Sequence, residues 1–252
     1  MTRRKTLTLA TYNVNGIGTR LPHLLAWLAA EKPDVVALQE LKATDAAFPA
    51  AELEQAGYGA LWLGEARWNG VALLGRGVTP VESRRRLPGE PADTQSRYLE
   101  AAIHGIVVAG LYLPNGNPQP GPKFDYKLRW MERLIKHARS LVALPHPVVI
   151  MGDFNVIPTD ADVYDPKAWR KDALLQPEVR EAYRQLLAQG WTDSLRQVSG
   201  EACIYTFWDY FRQHAERDQQ QYDDDFQSKT TTVSSPPAPA RAVPRAGDPS
   251  IP

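Results

Sequence analysis

Five polar side chains share one kind of address in this sequence: each closes a short apolar run. Asp153 and Asn155 follow the run 148–151, Asn13 follows the alternation of Leu7, Leu9 and Thr11, Glu40 follows 35–38, and Tyr112 ends 106–112. Uninterrupted apolar runs of this length suit strands covered on both faces, so the polar groups sit at strand exits. If those exits lie along one edge, they surround a cleft with two carboxylates, two carboxamides and a phenol. Such a set is hard and oxygen-rich, with neither cysteine nor histidine, and suits Mg²⁺ or Mn²⁺ better than zinc. A metal there offsets charge on a phosphoryl group while the amides and Tyr112 position its oxygens. No Gly-rich phosphate loop or Ser/His pair accompanies them, so metal-assisted phosphodiester hydrolysis fits better than a kinase or an esterase. Taken singly, each residue is more often a turn or capping group.

The elements that must position these groups follow from periodicity. Residues 21–31 carry Leu24, Leu25, Trp27 and Leu28 at helical spacing, with Pro22 in the first turn, and Lys32-Pro33-Asp34 breaks the helix. A short helix over 48–56 precedes strands over 58–63 and 71–74, separated by a turn at Asn69-Gly70. Arg84-Arg85-Arg86 reads as a solvated face. Strands over 98–104 and 106–112 form a hairpin pivoting on Gly105. The spacing predicts a long amphipathic helix over 125–144, with Leu128, Met131, Leu134, Ile135 and Leu141 inward and Lys127, Arg129, Arg133 and Lys136 towards water. Gly152 is expected to stop the strand that delivers Asp153, a further helix covers 177–189, and 204–210 is an aromatic strand. Strands and helices that alternate, mixed with hairpins, give a mixed sheet between helices.

Composition sets the bounds. The 252 residues contain 29 basic and 29 acidic side chains, so the net charge is zero and any contact with nucleic acid must come from local patches. The single cysteine, Cys203, allows no disulfide within the chain and fits a reducing compartment. Met1 to Lys5 is basic, yet no apolar stretch of signal-peptide or membrane length follows, so the expectation is a soluble, cytoplasmic protein without a membrane partner. No linker divides 6–214, and residues 1–218 read as one domain. From Gln219 the character changes: a polar, acidic stretch with Asp223, Asp224 and Asp225 leads into a segment in which the last seventeen residues hold six prolines. Residues 219–252 are therefore expected to be a disordered tail.

Thr11-Tyr12-Asn13-Val14-Asn15-Gly16, Leu38-Gln39-Glu40-Leu41-Lys42, Trp68-Asn69-Gly70-Val71-Ala72, Tyr112-Leu113-Pro114-Asn115-Gly116, Gly152-Asp153-Phe154-Asn155 and Phe207-Trp208-Asp209-Tyr210, in this order, resemble the exonuclease III family of DNA-repair nucleases. The resemblance covers roughly residues 6–218. It implies an α+β four-layer sandwich, two mixed β-sheets packed face to face with helices outside. It also implies Mg²⁺-dependent cleavage (Mn²⁺ as the alternative) of double-stranded DNA 5′ to abasic sites, with 3′-to-5′ exonuclease and 3′-phosphatase activities, by a monomer. Carried onto matching positions, Glu40 holds the metal with Asn13 beside it, and Asp153 and Asn155 adjoin it. Tyr112 contacts the scissile phosphate, Asp153 orients the nucleophile or protonates the leaving oxygen, and Asn155 stabilises the transition state. Asn69, Asn115, Phe207 and Trp208 fall to DNA binding, the last two as the wall against which a flipped-out abasic sugar packs.

The departure from the family begins after Gln219. The family continues with a strand carrying Arg-Ile-Asp and ends near Ser-Asp-His, and this chain has neither, so the last strands of one sheet are expected to be missing. A shift of reading frame near codon 219 would produce this change, and reading the gene's other two frames for those motifs tests it. Two alternatives stay open: another phosphodiesterase or phosphatase of the same superfamily, or an inactive DNA-binding remnant.

Overall fold

The computed structural model describes residues 6–200 together with the segment Thr232–Ser234. Strands β1 (Leu9–Asn13), β2 (Val35–Gln39), β3 (Tyr58–Leu63) and β4 (Val71–Arg76) form one sheet in the order β1-β2-β4-β3. The second sheet runs β5-β6-β7-β8-β10-β9, from β5 (Val81–Arg85), β6 (Tyr98–Ile103), β7 (Ile106–Tyr112), β8 (Val148–Asp153), β9 (Thr192–Asp193) and β10 (Thr232–Ser234). The helices are α1 (Ile17–Glu31), α2 (Ala50–Gln55), α3 (Pro122–Val142), α4 (Pro177–Leu187) and α5 (Ser194–Ser199).

The sheets face each other across Val35, Ala37, Leu73, Leu99, Val108, Val149 and Met151, all buried. Outside the first sheet, Ile17, Leu24 and Leu28 of α1 and Leu53 of α2 cover Val36, Leu38 and Leu74. Outside the second, α3 and α4 bury Trp130, Met131, Leu134, Val179 and Tyr183 over Ala109, Leu111, Val148 and Ile150. Because β2 and β8 need apolar residues on both faces, they read as continuous runs, and the order helix, sheet, sheet, helix is the sandwich the sequence implied.

One parallel pair in each sheet positions the site. β1 runs parallel to β2 with Asn13 opposite Gln39, and β7 runs parallel to β8 with Tyr112 opposite Asp153. Each pair is joined by a helix, α1 or α3, so all four strands end on the same side of their crossovers.

Three expectations need correction. Helix α1 begins at Ile17, earlier than periodicity indicated, because Ile17 is fully buried and its N–H donates to the Leu41 carbonyl at 3.0 Å; Pro22 lies inside the helix. Gly152 does not end β8: at φ 143° it lies inside the strand, and a Cβ there would stand 2.0 Å from the Leu111 carbonyl oxygen. The residue is glycine because β7 approaches too closely for any side chain. Lys127 does not face water but is fully buried on the inward stripe of α3. On its other side β8 also has a partner. Thr232–Ser234 pairs antiparallel with β8 (Val233 opposite Ile150) and with β9 (Val233 opposite Asp193). An unpaired ladder beside a buried strand is costly, and this pairing satisfies it at three residues of β8. The aromatic run 204–210 and Asp223 to Asp225 lie outside the described residues.

Candidate active site

The strand exits do converge. The Asn13 carboxamide donates from Nδ2 to Glu40 Oε1 at 2.8 Å and to Asp153 Oδ2 at 3.0 Å, so one amide bridges carboxylates that belong to different sheets. The Tyr112 hydroxyl donates to the same Glu40 Oε1 at 2.8 Å, and Lys42 Nζ lies 2.8 Å from Glu40 Oε2. On the far side, the Asn155 N–H donates to Asp153 Oδ1 at 2.9 Å, and the Asn155 carboxamide donates to the Leu113 carbonyl at 2.8 Å while accepting from Asn115 Nδ2 at 3.3 Å.

The main chain fixes this cluster before any ligand arrives. Parallel pairing continues past the strands, with Val14 N–H to Gln39 O at 2.9 Å and Gly16 N–H to Glu40 O at 2.8 Å. The Lys42 N–H reaches the Asn69 carbonyl at 3.0 Å, which ties the loop before β4 to the Glu40 turn. Asn15, Glu40, Lys42, Asn69 and Asn155 hold φ of 44°, 54°, 50°, 53° and 47°, in the left-handed region that side chains disfavour. Such conformations persist only where surrounding contacts over-determine them, and their concentration around one carboxylate pair marks a functional site.

Electrostatics separates the two acids. Burial pushes the Glu40 carboxyl up, but the donors on Asn13, Lys42 and Tyr112 outweigh it and hold the group below the ordinary glutamate range. Burial pushes the Asp153 carboxyl up, the Glu40 charge adds to the effect, and the Asn13 and Asn155 donors offset it only in part. Glu40 thus holds a proton less tightly than an ordinary glutamate and Asp153 more tightly than an ordinary aspartate, so the two environments push the acids apart. Tyr112 is raised above the ordinary phenol by burial and by the charges of Glu40 and Asp153, so it stays an O–H donor at neutral pH.

Asn69, by contrast, is buried, with its amide on Glu65 Oε1 at 2.8 Å. Phe207 and Trp208 lie outside the described residues. Sequence reasoning passed over three neighbours. Lys42 pairs with Glu40. Arg97 lies with its guanidinium carbon 4.8 Å from the Tyr112 ring centroid and donates to the Tyr112 carbonyl at 3.2 Å. Buried Lys127 donates to the carbonyls of Asn115 at 3.0 Å and Asn155 at 2.5 Å, and burial lowers its amine to about 7. The signal for Lys127 was its phase, between Phe124 and Trp130 on the apolar stripe.

Among the described residues no group of three or more His, Cys, Asp or Glu side chains converges as a metal cage. The two carboxylates joined by Asn13 are hard oxygen donors of the kind that suits a hydrated hard dication.

Comparison with known proteins agrees with this geometry. Residues 10–220 match the Endonuclease/Exonuclease/phosphatase family. The chain is 31% identical over 212 residues to exodeoxyribonuclease III of Haemophilus influenzae, covering 79% of this chain and 79% of that protein. Among solved structures, an AP endonuclease from Archaeoglobus fulgidus superposes with a TM-score of 0.82 at 32% identity, covering 92% of this chain and 88% of that one. A 3′ phosphatase from Neisseria bound to a product DNA hairpin gives 0.80 at 35% identity, covering 92% and 87%. With the bridged carboxylates at the exits of both parallel pairs and matches over most of its length, the chain belongs to the endonuclease/exonuclease/phosphatase family and, within it, to the exonuclease III nucleases.

Proposed function

We propose that this nuclease hydrolyses the DNA backbone on the 5′ side of abasic sites, removes nucleotides 3′ to 5′, and works in base excision repair as a monomer with Mg²⁺. The observation that carries the reading is the Asn13 bridge between Glu40 and Asp153, which brings the two sheets' acids to one point beside Tyr112. The relatives' names, an exodeoxyribonuclease III and an AP endonuclease, support the substrate. The catalytic unit spans 1–218, with the strand 232–234 completing its second sheet.

Glu40 and Asp153, with Asn13 between them, would hold the Mg²⁺, which when bound offsets the negative charge of the phosphoryl oxygens. The protein's own groups do the rest. Glu40, fixed by Asn13, Lys42 and Tyr112, presents an anion whose position costs no reorganisation. Tyr112, kept protonated, turns its hydroxyl from Glu40 to a phosphate oxygen when DNA enters. Asp153 takes a proton from the attacking water or gives one to the leaving 3′ oxygen, and its raised affinity for protons suits either role. Asn155 donates to the oxygen on which charge develops. A second reading, removal of a 3′ phosphate from DNA, is favoured by the Neisseria 3′ phosphatase and uses the same groups.

The test compares three substrates with the full chain and Mg²⁺: a duplex with one abasic site, the same duplex ending in a 3′ phosphate, and a soluble aryl phosphodiester. Preferred turnover of the abasic duplex is the expected result. Preferred turnover of the 3′ phosphate establishes the second reading, and preferred turnover of the soluble diester overturns both.

A further inference from the structure

The side chain least explained by folding is Lys127. A lysine on the buried stripe of α3 loses its hydration, and its two hydrogen bonds go to main-chain carbonyls rather than to a carboxylate. An apolar residue of similar volume would serve packing at least as well, since a buried cation is weakly favourable at best. The surroundings are nevertheless shaped for it. Gly116 has φ 90°, and a Cβ there would stand 2.6 Å from Lys127 Cδ and 3.2 Å from Ala173 Cβ, so the lysine stem passes where a side chain at 116 would lie. Asn155, at φ 47°, accepts the ammonium on its carbonyl.

The two carbonyls belong to different loops, one leaving β7 and one leaving β8. Those strands are paired in parallel up to Tyr112 and Asp153, and beyond them the loops stay joined by the Leu113 N–H on the Asp153 carbonyl at 2.9 Å and by the Asn155 amide on the Leu113 carbonyl at 2.8 Å. The ammonium joins them at Asn115 and Asn155, and the Asn115 amide on Asn155 Oδ1 at 3.3 Å closes the link. Through the Asn155 N–H on Asp153 Oδ1 at 2.9 Å, the position of this loop also sets the orientation of the Asp153 carboxylate.

We propose that Lys127 is a positioning residue for the hydrolysis: its side-chain nitrogen, donating to a carbonyl on each side, helps to tie the β7 and β8 exit loops together and thereby aims Asn155 and Asp153, without touching the substrate. The inference rests on the reading above. A tie of this kind acts on the chemical step more than on binding, because misplacing a reacting group by about 1 Å removes on the order of 100-fold in rate.

The experiment compares the full-length chain with Lys127→Met and Lys127→Arg, measuring kcat and KM on the abasic duplex and amide hydrogen exchange by mass spectrometry. The expected result for Lys127→Met is a folded protein whose kcat falls about 100-fold while KM stays within about threefold, with faster exchange confined to 113–117 and 153–157. Lys127→Arg, which keeps the charge and donors, should recover part of the kcat. An unchanged kcat with unchanged exchange overturns the proposal, and so does a raised KM at constant kcat, which would make the lysine a substrate contact. Where the methionine variant does not fold, Lys127→Gln carries the same two measurements, and parent-level kcat and exchange in it overturn the proposal. A parent chain that cleaves no abasic duplex defeats the functional reading instead, and the exchange pattern still decides for or against the tie.

Discussion

Two tyrosines of the second sheet donate to glutamates over the same distance, and the two hydrogen bonds do different work. Tyr112 donates to Glu40 at 2.8 Å across the two sheets, while Tyr98 donates to Glu100 at 2.8 Å within β6. Around Glu100 everything is closed: the residue is 5% exposed, His137 of α3 bonds to the same oxygen, and Arg84 of β5 stands 3.4 Å away. Neither Tyr98 nor Glu100 has positive φ. Glu40 also has three side chains on its carboxylate, but around it the backbone is strained at five positions and the group lies at a strand exit rather than in mid-strand. A buried acid with a tyrosine therefore says little by itself. Convergence from two sheets, strain and position at the ends of parallel strands separate a site from a well-satisfied core network.

The contrast can be broken in several places. Removing Glu100 should produce the largest change in stability: Glu100→Ala leaves Tyr98 and His137 without an acceptor in the core and is expected to cost about 3–5 kcal/mol, read by urea denaturation, with residual nuclease activity tracking the folded fraction. Tyr112→Phe should do the opposite, leaving the denaturation midpoint nearly unchanged and lowering kcat about 100-fold, on the order of 3 kcal/mol of transition-state stabilisation. Equal losses of stability in the two variants would erase the distinction.

A smaller effect concerns protons. Burial raises the folded value of the Asp153 carboxyl above the ordinary aspartate value of 3.8. Its ionisation therefore weakens folding as pH rises through the folded value, and below the unfolded value the penalty is absent. Asp153→Asn cannot ionise, so in EDTA its melting temperature should gain on that of the parent between about pH 3 and pH 7. A constant gap across that range would mean the carboxyl is not destabilised by burial. The smallest change is expected at Arg84, 43% exposed and 3.4 Å from Glu100, where Arg84→Ala should cost less than about 1 kcal/mol by the same denaturation assay.

What the sequence disclosed follows from the same physics. Asn13, Glu40, Tyr112 and Asp153 were legible because buried strands are continuous apolar runs and a polar residue ending one must emerge at an edge. Both crossover helices were legible from their stripes. Lys127 was misplaced because charge was weighed above phase: a lysine at a stripe position reads as solvent-facing until two main-chain carbonyls are known to await it. Glu100 was invisible for a related reason, since its partner His137 lies on a helix far along the chain. The strand Thr232–Ser234 could not be read from composition, because its three residues carry no apolar run or alternation of their own and are recognised only by their pairing with β8 and β9.

The central claim is that the acids joined by Asn13 form the working site, and Glu40 is its most committed anion. The most direct measurement is Mg²⁺-dependent nicking of a duplex carrying one abasic site by the 252-residue chain, beside Glu40→Ala at matched folded concentration. The predicted result is nicking by the parent and a loss of at least about 100-fold in the variant. Equal nicking by both proteins would contradict the claim and place the chemistry elsewhere in the chain.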